Sequence, residues 1–379
     1  MKTLFILSLI FIFYTYLGYP VLLFIRSKVL PRPIYKKYNA KLPFVSVVIA
    51  AKNEENNIEG RIINLFETDY PDTLYEIIVV SDGSIDSTNE IVERISKKNK
   101  SVKLVAYFPS KGKPFALNKG AHESRGDIVV FADSRQRFNK RALSELVANF
   151  NDPEIGCVSG ELIFYESCDS TIQKEMGAYW HYEKMIRKLE SKCGSVAGAT
   201  GAIYAVKKEL YEDIPNETIL DDVLTPMNIV MQGYRCIFDP CAIAYDSVSK
   251  DIHSEMTRKI RTLAGNWQLL KIKPSIVLPF KNKIWWNFLS HKIYRLMVPF
   301  FMIYLLISNF FIIEHLFMLT LLAQMFFYTI AFSAWLIPDI REKGHVKLLY
   351  FFIKMNYAAL IGTFYFLSGN TARTWKKVG

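Results

Sequence analysis

The stretch FVSVVIAAKNEE, residues 44–55, decides the fold class. Its first eight residues form an apolar, largely β-branched run, which is typical of a strand buried on both faces of a parallel sheet. Residues 53–67 then place Ile58, Ile62 and Phe66 at helical spacing, so a helix should follow the strand. A strand followed by an amphipathic helix is the repeating unit of a parallel α/β sheet.

The same alternation continues outward from this stretch. We predict further strands at Glu76–Val80, Lys103–Tyr107 and Asp127–Ala132, and a second helix at Ser87–Ser96. Together these elements predict a doubly wound α/β sheet. Ligands of such sheets bind at the carboxyl ends of the strands, so the residues just after each strand are candidate site residues.

The N-terminal region is far more apolar than this middle part. Residues Leu4–Ile25 form an uncharged run of about 22 residues, which is long enough to cross a hydrocarbon core of ~30 Å as a helix. Basic residues such as Arg26 and Lys28 follow, where a cleaved signal peptide would show a small-residue cleavage site. We therefore predict an uncleaved anchor whose C-terminal side faces the cytoplasm.

The C-terminal region is apolar as well. Aromatic and basic residues mix at Asn282–Leu296, which predicts an interfacial helix, and two spans follow at Met297–Ile313 and Leu316–Ile337. Leu348–Leu367 is a weaker third span because it contains a lysine and an asparagine. Three spans would put the basic residues at 373–377 outside, so either one segment does not cross or the positive-inside rule fails here.

The composition agrees with a soluble domain joined to membrane segments. Of 379 residues, 51% are hydrophobic, yet 22% are charged, which is too many for a protein made only of spans. We predict an anchor at 1–27, a cytoplasmic domain at 28–280 and a membrane region at 281–379. The net charge of +11 suits lipid headgroups or anionic substrates better than nucleic acid, for which we find no motif.

Seven motifs occur in a characteristic order between residues 45 and 270. They are VSVVIAAKNEE (45–55), IIVVSDGSIDST (77–88), SKGKPFALNKG (110–120), GDIVVFADSRQ (126–136), GAIYAVKKEL (201–210), LDDVLTPMNIVMQGYR (220–235) and RKIRTLAGNWQ (258–268). This order resembles the family 2 glycosyltransferases, whose fold is called GT-A. The flanking spans resemble the membrane-bound branch that includes the cellulose and hyaluronan synthases.

The resemblance implies an enzyme that transfers a hexose or N-acetylhexosamine from a nucleotide sugar, and a UDP-sugar is the expected donor. The acceptor would be a glycan or a lipid-linked sugar at the cytoplasmic membrane face, and the transfer would invert the anomeric centre. Cell-surface or extracellular polysaccharide synthesis is the implied setting. The alternatives are a non-catalytic nucleotide-sugar-binding scaffold of a membrane polysaccharide assembly and, with too few spans to favour it, a transporter.

The resemblance places the catalytic base at Asp222, the second residue of an acidic pair. It would take the proton of an acceptor hydroxyl as that oxygen attacks the anomeric carbon. Repulsion from the adjacent Asp221 could raise one pKa toward a useful value. Aspartate is also favoured at helix N-termini, so we expect Asp221 to cap the helix Val223–Met231 as well as to line the donor site.

The loops after the strands supply the predicted donor-binding residues. Asp82, in a glycine-containing turn, can accept hydrogen bonds from a base or ribose edge, unless it only shapes the loop as an Asx-turn. Lys113 offers a point charge to a diphosphate, although such a lysine can equally be a solvated surface residue. The resemblance adds Glu54 and Asn118 to the donor site.

One motif departs from the family pattern. Relatives carry Asp-x-Asp after the fourth strand to hold a divalent Mg or Mn, but residues 133–135 here read Asp-Ser-Arg. Asp133 remains the predicted metal ligand because hard cations prefer oxygen ligands. The metal would stabilise charge on the leaving group. Alternatively, Arg135 offsets the phosphate charge directly.

The last motif departs from the pattern too. Polymerising relatives carry Gln-x-x-Arg-Trp, whereas this chain has Arg258, Arg261 and Thr262 at the first, fourth and fifth positions. We predict that both arginines contact donor phosphates, unless they bind lipid headgroups. Because the tryptophan helps to hold the acceptor sugar in relatives, its absence weighs against processive polymer synthesis.

Overall fold

The computed structural model of the chain describes residues 1–38, 41–164, 171–247, 252–341 and 343–369. The basic residues at 373–377 lie outside these ranges. The strands are β1 (Val45–Ala51), β2 (Tyr75–Asp82), β3 (Val102–Tyr107), β4 (Ile128–Ala132), β5 (Arg137–Phe138), β6 (Ile155–Phe164), β7 (Ile203–Lys207) and β8 (Arg235–Asp246). The helices are α1 (Lys2–Phe13), α2 (Tyr19–Val29), α3 (Ile58–Phe66), α4 (Thr88–Lys98), α5 (Lys113–Glu123), α6 (Ala142–Ala148), α7 (Thr171–Cys193), α8 (Asp221–Met231), α9 (Ile252–Ile272), α10 (Trp285–Phe288), α11 (Tyr294–Phe310), α12 (His315–Leu336), α13 (Pro338–Arg341) and α14 (Gly344–Leu367).

The strands form one mixed sheet in the order β3-β2-β1-β4-β7-β6-β8-β5. The first four run parallel, β7 is antiparallel to both of its neighbours, and β6 is parallel to β8. The carboxyl ends of β1, β2, β3, β4, β6 and β8 therefore meet at the same edge of the sheet. The predicted α/β class is confirmed, and the second half of the sheet adds two antiparallel strands, β7 and β5, to the parallel pattern.

Helices cover both faces of the sheet, which explains the continuous apolar runs in the sequence. Every residue of β1 and β2 is buried. On one face α5 packs so closely that a Cβ at Gly120 would lie 2.3 Å from Cγ1 of Val48. Glycine thus lets α5 lie directly on the sheet, with its first residue, Lys113, at the carboxyl edge of the strands.

Four helices in the described part of the chain are long and apolar enough to cross a membrane. They are Lys2–Val29, Trp285–Phe310, His315–Leu336 and Gly344–Leu367. By helix length and composition, the prediction of one N-terminal and up to three C-terminal spans is confirmed. The predicted interfacial helix at Asn282–Leu296 differs, because a π-helical turn joins α10 to α11 and no break separates this segment from the first C-terminal span.

Two of these helices contact the α/β domain directly. The indole Nε1 of Trp267 on α9 donates a hydrogen bond to Oγ1 of Thr363 on α14, at 2.9 Å. The hydroxyl of Tyr19 on α2 donates one to Oε1 of Glu190 on α7, at 2.6 Å. The apolar helices thereby fix α7 and α9, which stand beside the carboxyl edge of the sheet.

Candidate functional site

A cavity of about 960 Å³ lies at the carboxyl edge of the sheet, a size that suits a small-molecule ligand. Its strand-side half comprises residues that follow β1, β3 and β4, namely Glu54, Lys111, Lys113, Asp133 and Arg135. Its helix-side half comprises residues of α7, α9 and the helices 285–310 and 344–367, namely Glu183, Arg187, Lys259, Lys292 and Tyr365. Asp221 and Asp222, at the start of α8, also line it.

The structure brings most of the predicted site residues together. Those that line the cavity are Glu54, Lys113, Asp133, Asp221, Asp222, Arg258 and Arg261. Asp82 and Asn118 do not line it. Residues far apart in the sequence thus converge because the parallel strands all end at this edge.

Lys113 lies between two carboxylates in the strand-side half. Its Nζ is 2.9 Å from Oδ1 of Asp133 and 3.8 Å from Oδ2 of Asp221. Burial opposes the charge on Lys113, but Asp133 and Asp221 outweigh it and raise its pKa. Oδ2 of Asp221 is buried and accepts no hydrogen bond among the described residues. This oxygen can therefore take a further cation or proton donor.

Asp221 and Asp222 have different surroundings although they are adjacent. The helix begins at Asp221 with Leu220 as its N-cap and no side-chain capping bond, so the predicted capping role of Asp221 is wrong. Oδ2 of Asp222 accepts a hydrogen bond from the backbone N–H of Gly201, at 3.2 Å. Burial and the neighbouring charge of Asp221 raise the pKa of Asp222 to about 6, which suits a general base near neutral pH.

Asp82 lies beneath the cavity wall instead of in it. Its carboxylate is fully buried and accepts hydrogen bonds from Oγ of Ser110 and from the backbone N–H of Lys111, both at 2.6 Å. The N–H of Gly112 donates to the same carboxylate at 3.1 Å. Because the carboxylate is fully buried and does not line the cavity, it makes no surface available for the predicted contact with a base or ribose in this structure. Asp82 shapes the loop before Lys113.

Asn118 also holds backbone in place. Its Nδ2 donates to the carbonyl of Ile214 at 2.8 Å, and its Oδ1 accepts from the hydroxyl of Tyr211 at 2.8 Å. These bonds fasten the segment that leads to α8, so in this structure the side chain does not reach the cavity. Glu54 does line the cavity, and its Oε2 accepts a bond from Nδ2 of Asn57 at 2.7 Å.

Arg135 is paired with a carboxylate that we did not predict. Its Nη2 lies 2.5 Å from Oδ2 of Asp246, and Nε2 of Gln136 donates to the same oxygen at 2.9 Å. The alternative in which Arg135 directly offsets phosphate charge therefore competes with a buried ion pair. Asp246 ends β8 as Asp82 ends β2, and this position was the signal that could have identified it.

The two predicted arginines lie on α9. Nη1 of Arg258 is 3.4 Å from Oε2 of Glu255 on the same helix. Burial raises the pKa of Asp221, and the charge of Arg261 acts on the same carboxyl to lower it. Arg261 therefore adds positive charge near the acidic pair.

A second acidic group lies away from the cavity. Glu145, Asp239 and Cys241 bring ligand atoms close enough to hold a metal ion. However, Nζ of Lys36 lies 2.6 Å from Oδ2 of Asp239 and also contacts the carboxylate of Glu145. The third ligand of this group is the sulfur of Cys241 and not an oxygen, so the group suits a hard cation such as Mg or Mn less well than Asp133 and Asp221 do.

Sequence reasoning missed most of the helix-side half. Arg187 is held by hydrogen bonds from its guanidinium to the hydroxyls of Thr200, at 2.6 Å, and Ser159, at 2.5 Å. Glu183, Arg187 and Lys292 belong to segments that carry no family motif. Only the fold brings them to the cavity.

Comparison with known proteins identifies the domain. Residues 46–215 match the family described as Glycosyl transferase family 2. The probable glycosyltransferase YdaM of Bacillus subtilis (strain 168) is 28% identical over 242 residues, which cover 62% of this chain and 58% of that protein. The poly-beta-1,6-N-acetyl-D-glucosamine synthase of Staphylococcus aureus (strain MSSA476) is 24% identical over 234 residues, which cover 61% and 56%.

Among solved structures, the mannosyltransferase PcManGT from Pyrobaculum calidifontis, in complex with GDP-Man and Mn²⁺, is similar over nearly its whole length. The TM-score is 0.68 at 24% identity, and the match covers 94% of this chain and 99% of that one. The chain spans less than three fifths of the two curated relatives. The resemblance inferred from the seven motifs is confirmed: the chain carries a family 2 glycosyltransferase domain with a GT-A fold. Within the residues that the structure describes, this domain is joined to four helices long and apolar enough to cross a membrane.

Proposed function

We propose that this chain is a membrane-bound, inverting glycosyltransferase that moves a sugar from a nucleoside-diphosphate donor to a glycan or lipid-linked acceptor. One observation carries the proposal. Lys113, Asp133, Asp221 and Asp222 converge in one cavity at the carboxyl edge of the sheet, and Asp222 has a pKa of about 6. This arrangement supplies a base and a phosphate-binding charge within one ligand site.

Asp222 is the base in this mechanism. It accepts the proton of the acceptor hydroxyl while that oxygen forms a bond to the anomeric carbon of the donor sugar. The bond between that carbon and the diphosphate oxygen breaks, and its electron pair leaves with the nucleoside diphosphate. One displacement of this kind inverts the anomeric centre and needs no covalent intermediate.

Lys113 and Arg261 offset the charge that develops on the diphosphate. Both line the cavity beside the acidic residues. Asp133 and Asp221 fit a Mg or Mn ion, since Oδ2 of Asp221 is buried without a hydrogen-bond donor and hard cations prefer oxygen ligands. Such an ion would neutralise charge on the leaving group. The P. calidifontis mannosyltransferase was solved in complex with Mn²⁺, which supports a metal of this kind.

The donor and the setting follow from the resemblance. A UDP-sugar is the predicted donor, and GDP-mannose is the second candidate because the structural neighbour was solved with it. The name of the S. aureus relative supports a role in polysaccharide synthesis. We place the domain 28–280 at the cytoplasmic face, between the anchor 1–27 and the membrane region 281–379, because basic residues follow the first span. Thr262 in place of tryptophan favours a single transfer.

The test is donor turnover by the full-length protein in nanodiscs. A panel of UDP- and GDP-sugars is incubated with Mg²⁺ or Mn²⁺ and native membrane lipids, and nucleoside diphosphate release is measured. We expect turnover with one donor and a loss of about 10²- to 10⁴-fold in Asp222→Asn. Asp213→Asn, at an exposed aspartate, is the matched control and should keep full activity.

The product and the binding measurements separate the two candidate functions. NMR of the product should show an anomeric configuration opposite to that of the donor. A non-catalytic scaffold would bind a nucleotide sugar equally well in the wild type and in Asp222→Asn, with no turnover in either. That result, or product with retained configuration, would contradict the proposal.

A further inference from the structure

The helix-side half of the cavity is rich in cations. Arg187 comes from α7, Lys259 from α9 and Lys292 from the candidate span Trp285–Phe310. Burial lowers the pKa of both Arg187 and Lys259, so these charges lie in a partly dehydrated place.

The acids beside these cations are engaged by other donors. Glu183 contacts Nε2 of His291 at 2.9 Å and is paired with Arg295. Glu190 contacts Nδ1 of His291 at 2.9 Å and accepts the hydroxyl of Tyr19. Burial opposes ionisation of Glu183, but the charges of Arg295 and His291 outweigh it and hold its pKa well below the usual range. Both carboxylates therefore already have direct partners.

Arg187 and Lys292 make no direct ion pair with these carboxylates, although the charges of Glu183 and Glu190 act on both cations. Among the residues that the structure describes, neither forms an ion pair, and Arg187 donates only to the hydroxyls of Thr200 and Ser159. A cation held out of bulk water without a paired anion is costly. Such a pair of cations in a cavity wall is suited to bind an anionic group of a ligand.

Their position relative to the acidic pair indicates which ligand. The charges that act on Asp221 include Lys113, Asp133 and Arg261, all on the donor side of the proposed mechanism. Asp222 is influenced by Lys113 and also by Lys292, and its own charge acts on Arg187. Arg187 is close to Asp222 through two adjacent residues, because it donates to the hydroxyl of Thr200 and the N–H of Gly201 donates to Asp222. An acceptor hydroxyl that meets Asp222 therefore has these two cations beside it.

The helix-side half is also next to the apolar helices. Lys292 and Tyr365 belong to two different candidate spans. Ionisable residues inside such segments are rare and mark functional sites by default. An anion that reaches this place from the bilayer is the phosphate of a lipid.

We propose that Arg187 and Lys292 bind the phosphate of a lipid-linked acceptor, which enters the cavity from the bilayer and presents its hydroxyl to Asp222. This inference rests on the proposed function, because it assumes that Asp222 is the base. It narrows the acceptor from glycans in general to molecules attached to a lipid through phosphate.

Direct binding tests the proposal without turnover. The full-length protein in phosphatidylcholine nanodiscs is titrated with farnesyl phosphate, farnesol or inorganic phosphate, and binding is followed by intrinsic tryptophan fluorescence. We expect farnesyl phosphate to bind at least tenfold more tightly than farnesol or inorganic phosphate. If farnesol binds equally well, the cavity does not recognise the phosphate. If inorganic phosphate binds equally well, the phosphate that binds there need not belong to a lipid. Either result would overturn the proposal.

Variants locate the site. Arg187→Gln and Lys292→Gln should each weaken farnesyl phosphate binding about tenfold or more, because each removes one charge-assisted contact. Lys292→Arg keeps the charge and should bind within about threefold of the wild type. Lys283→Gln, at an exposed lysine just before the same helix and outside the cavity wall, should have no effect.

UDP and GDP binding in the same variants separates this inference from the proposed function. We expect it to stay within about twofold of the wild type, which also shows that the variants are folded. Variants that lose nucleoside diphosphate binding but keep farnesyl phosphate binding would assign the cations to the donor and overturn the inference. Farnesyl phosphate binding without any donor turnover would instead contradict the proposed function alone.

Discussion

The two halves of the cavity have opposite charge arrangements. In the strand-side half, Lys113 is held between Asp133 and Asp221, so its positive charge is already paired. In the helix-side half Glu183 and Glu190 contact His291 directly, whereas Arg187 and Lys292 form no direct ion pair among the described residues. In the strand-side half, the ion pairs of Lys113 must be replaced when donor phosphates or a metal bind. The helix-side half can bind an anion without breaking an ion pair.

The largest expected effect on donor binding comes from removing the paired cation. Lys113→Gln leaves Asp133 and Asp221 facing the donor without an ammonium, so we expect about a 100-fold loss of UDP or GDP affinity by calorimetry. Lys119→Gln, an ion-paired surface lysine on the same helix, is the matched control. Full affinity in Lys113→Gln would show that the pairing does not serve the donor.

The strand-side half also depends on the residue beneath it. Asp82→Ala leaves the hydroxyl of Ser110 and two backbone N–H groups without their acceptor, so we expect a loss of about 2 kcal/mol in stability. Thermal unfolding measures the loss, and donor affinity should fall with it because the loop before Lys113 loosens. If Asp82→Asn weakens donor binding at unchanged stability, Asp82 contacts the donor itself.

The ion pair at the altered metal motif gives a smaller effect. Arg135→Gln leaves the buried carboxylate of Asp246 with Gln136 and a backbone N–H, and should cost about 1.5 kcal/mol because Arg135 is partly exposed. A double-mutant cycle with Asp246→Asn should recover most of this energy as coupling. If the stability losses of the two single variants add up to that of the double variant, the ion pair contributes no stability. Arg135 would then be free to bind a phosphate.

Asp222 should carry a cost in stability that depends on pH. Its pKa is raised from 3.8 to about 6, so the folded protein binds this proton more tightly and loses stability as pH rises through this window. Asp222→Asn removes this loss of stability. Because a shift of about two pKa units corresponds to about 3 kcal/mol, we expect a gain of about 3 kcal/mol at neutral pH and none below about pH 4. Thermal unfolding at both pH values measures this gain in stability, and Asp213→Asn is the control. A gain of equal size at both pH values would contradict the raised pKa.

The same comparison explains how much the sequence could predict. The strand-side half follows from short segments, because a buried apolar run fixes each strand and its next residues reach the carboxyl edge, as Lys113 and Asp133 do. Asp82 meets the same rule, yet its side chain turns to backbone N–H groups that no linear pattern reveals. The capping role expected of Asp221 failed because the helix starts at Asp221, two residues earlier than its apolar pattern suggests.

The helix-side half could not be predicted in this way. Arg187 and Lys292 are more than a hundred positions apart and belong to helices whose packing depends on tertiary contacts. The segment at 282–296 has the composition of an interfacial helix, but buried partners such as Glu190 hold His291 against α7. A mixture of aromatic and basic residues is compatible with a helix at a lipid surface and with a helix packed against protein. The composition of this segment therefore could not distinguish the two.

The pH dependence of kcat/KM in the wild type and in Asp221→Asn tests the central claim most directly. If Asp222 is the base, activity should fall as pH drops through about 6, because the carboxyl then carries a proton. The charge of Asp221 contributes to that raised pKa, so the fall should move to lower pH in Asp221→Asn. A profile that is flat between about pH 5 and 7, or one that does not move in Asp221→Asn, would contradict the account.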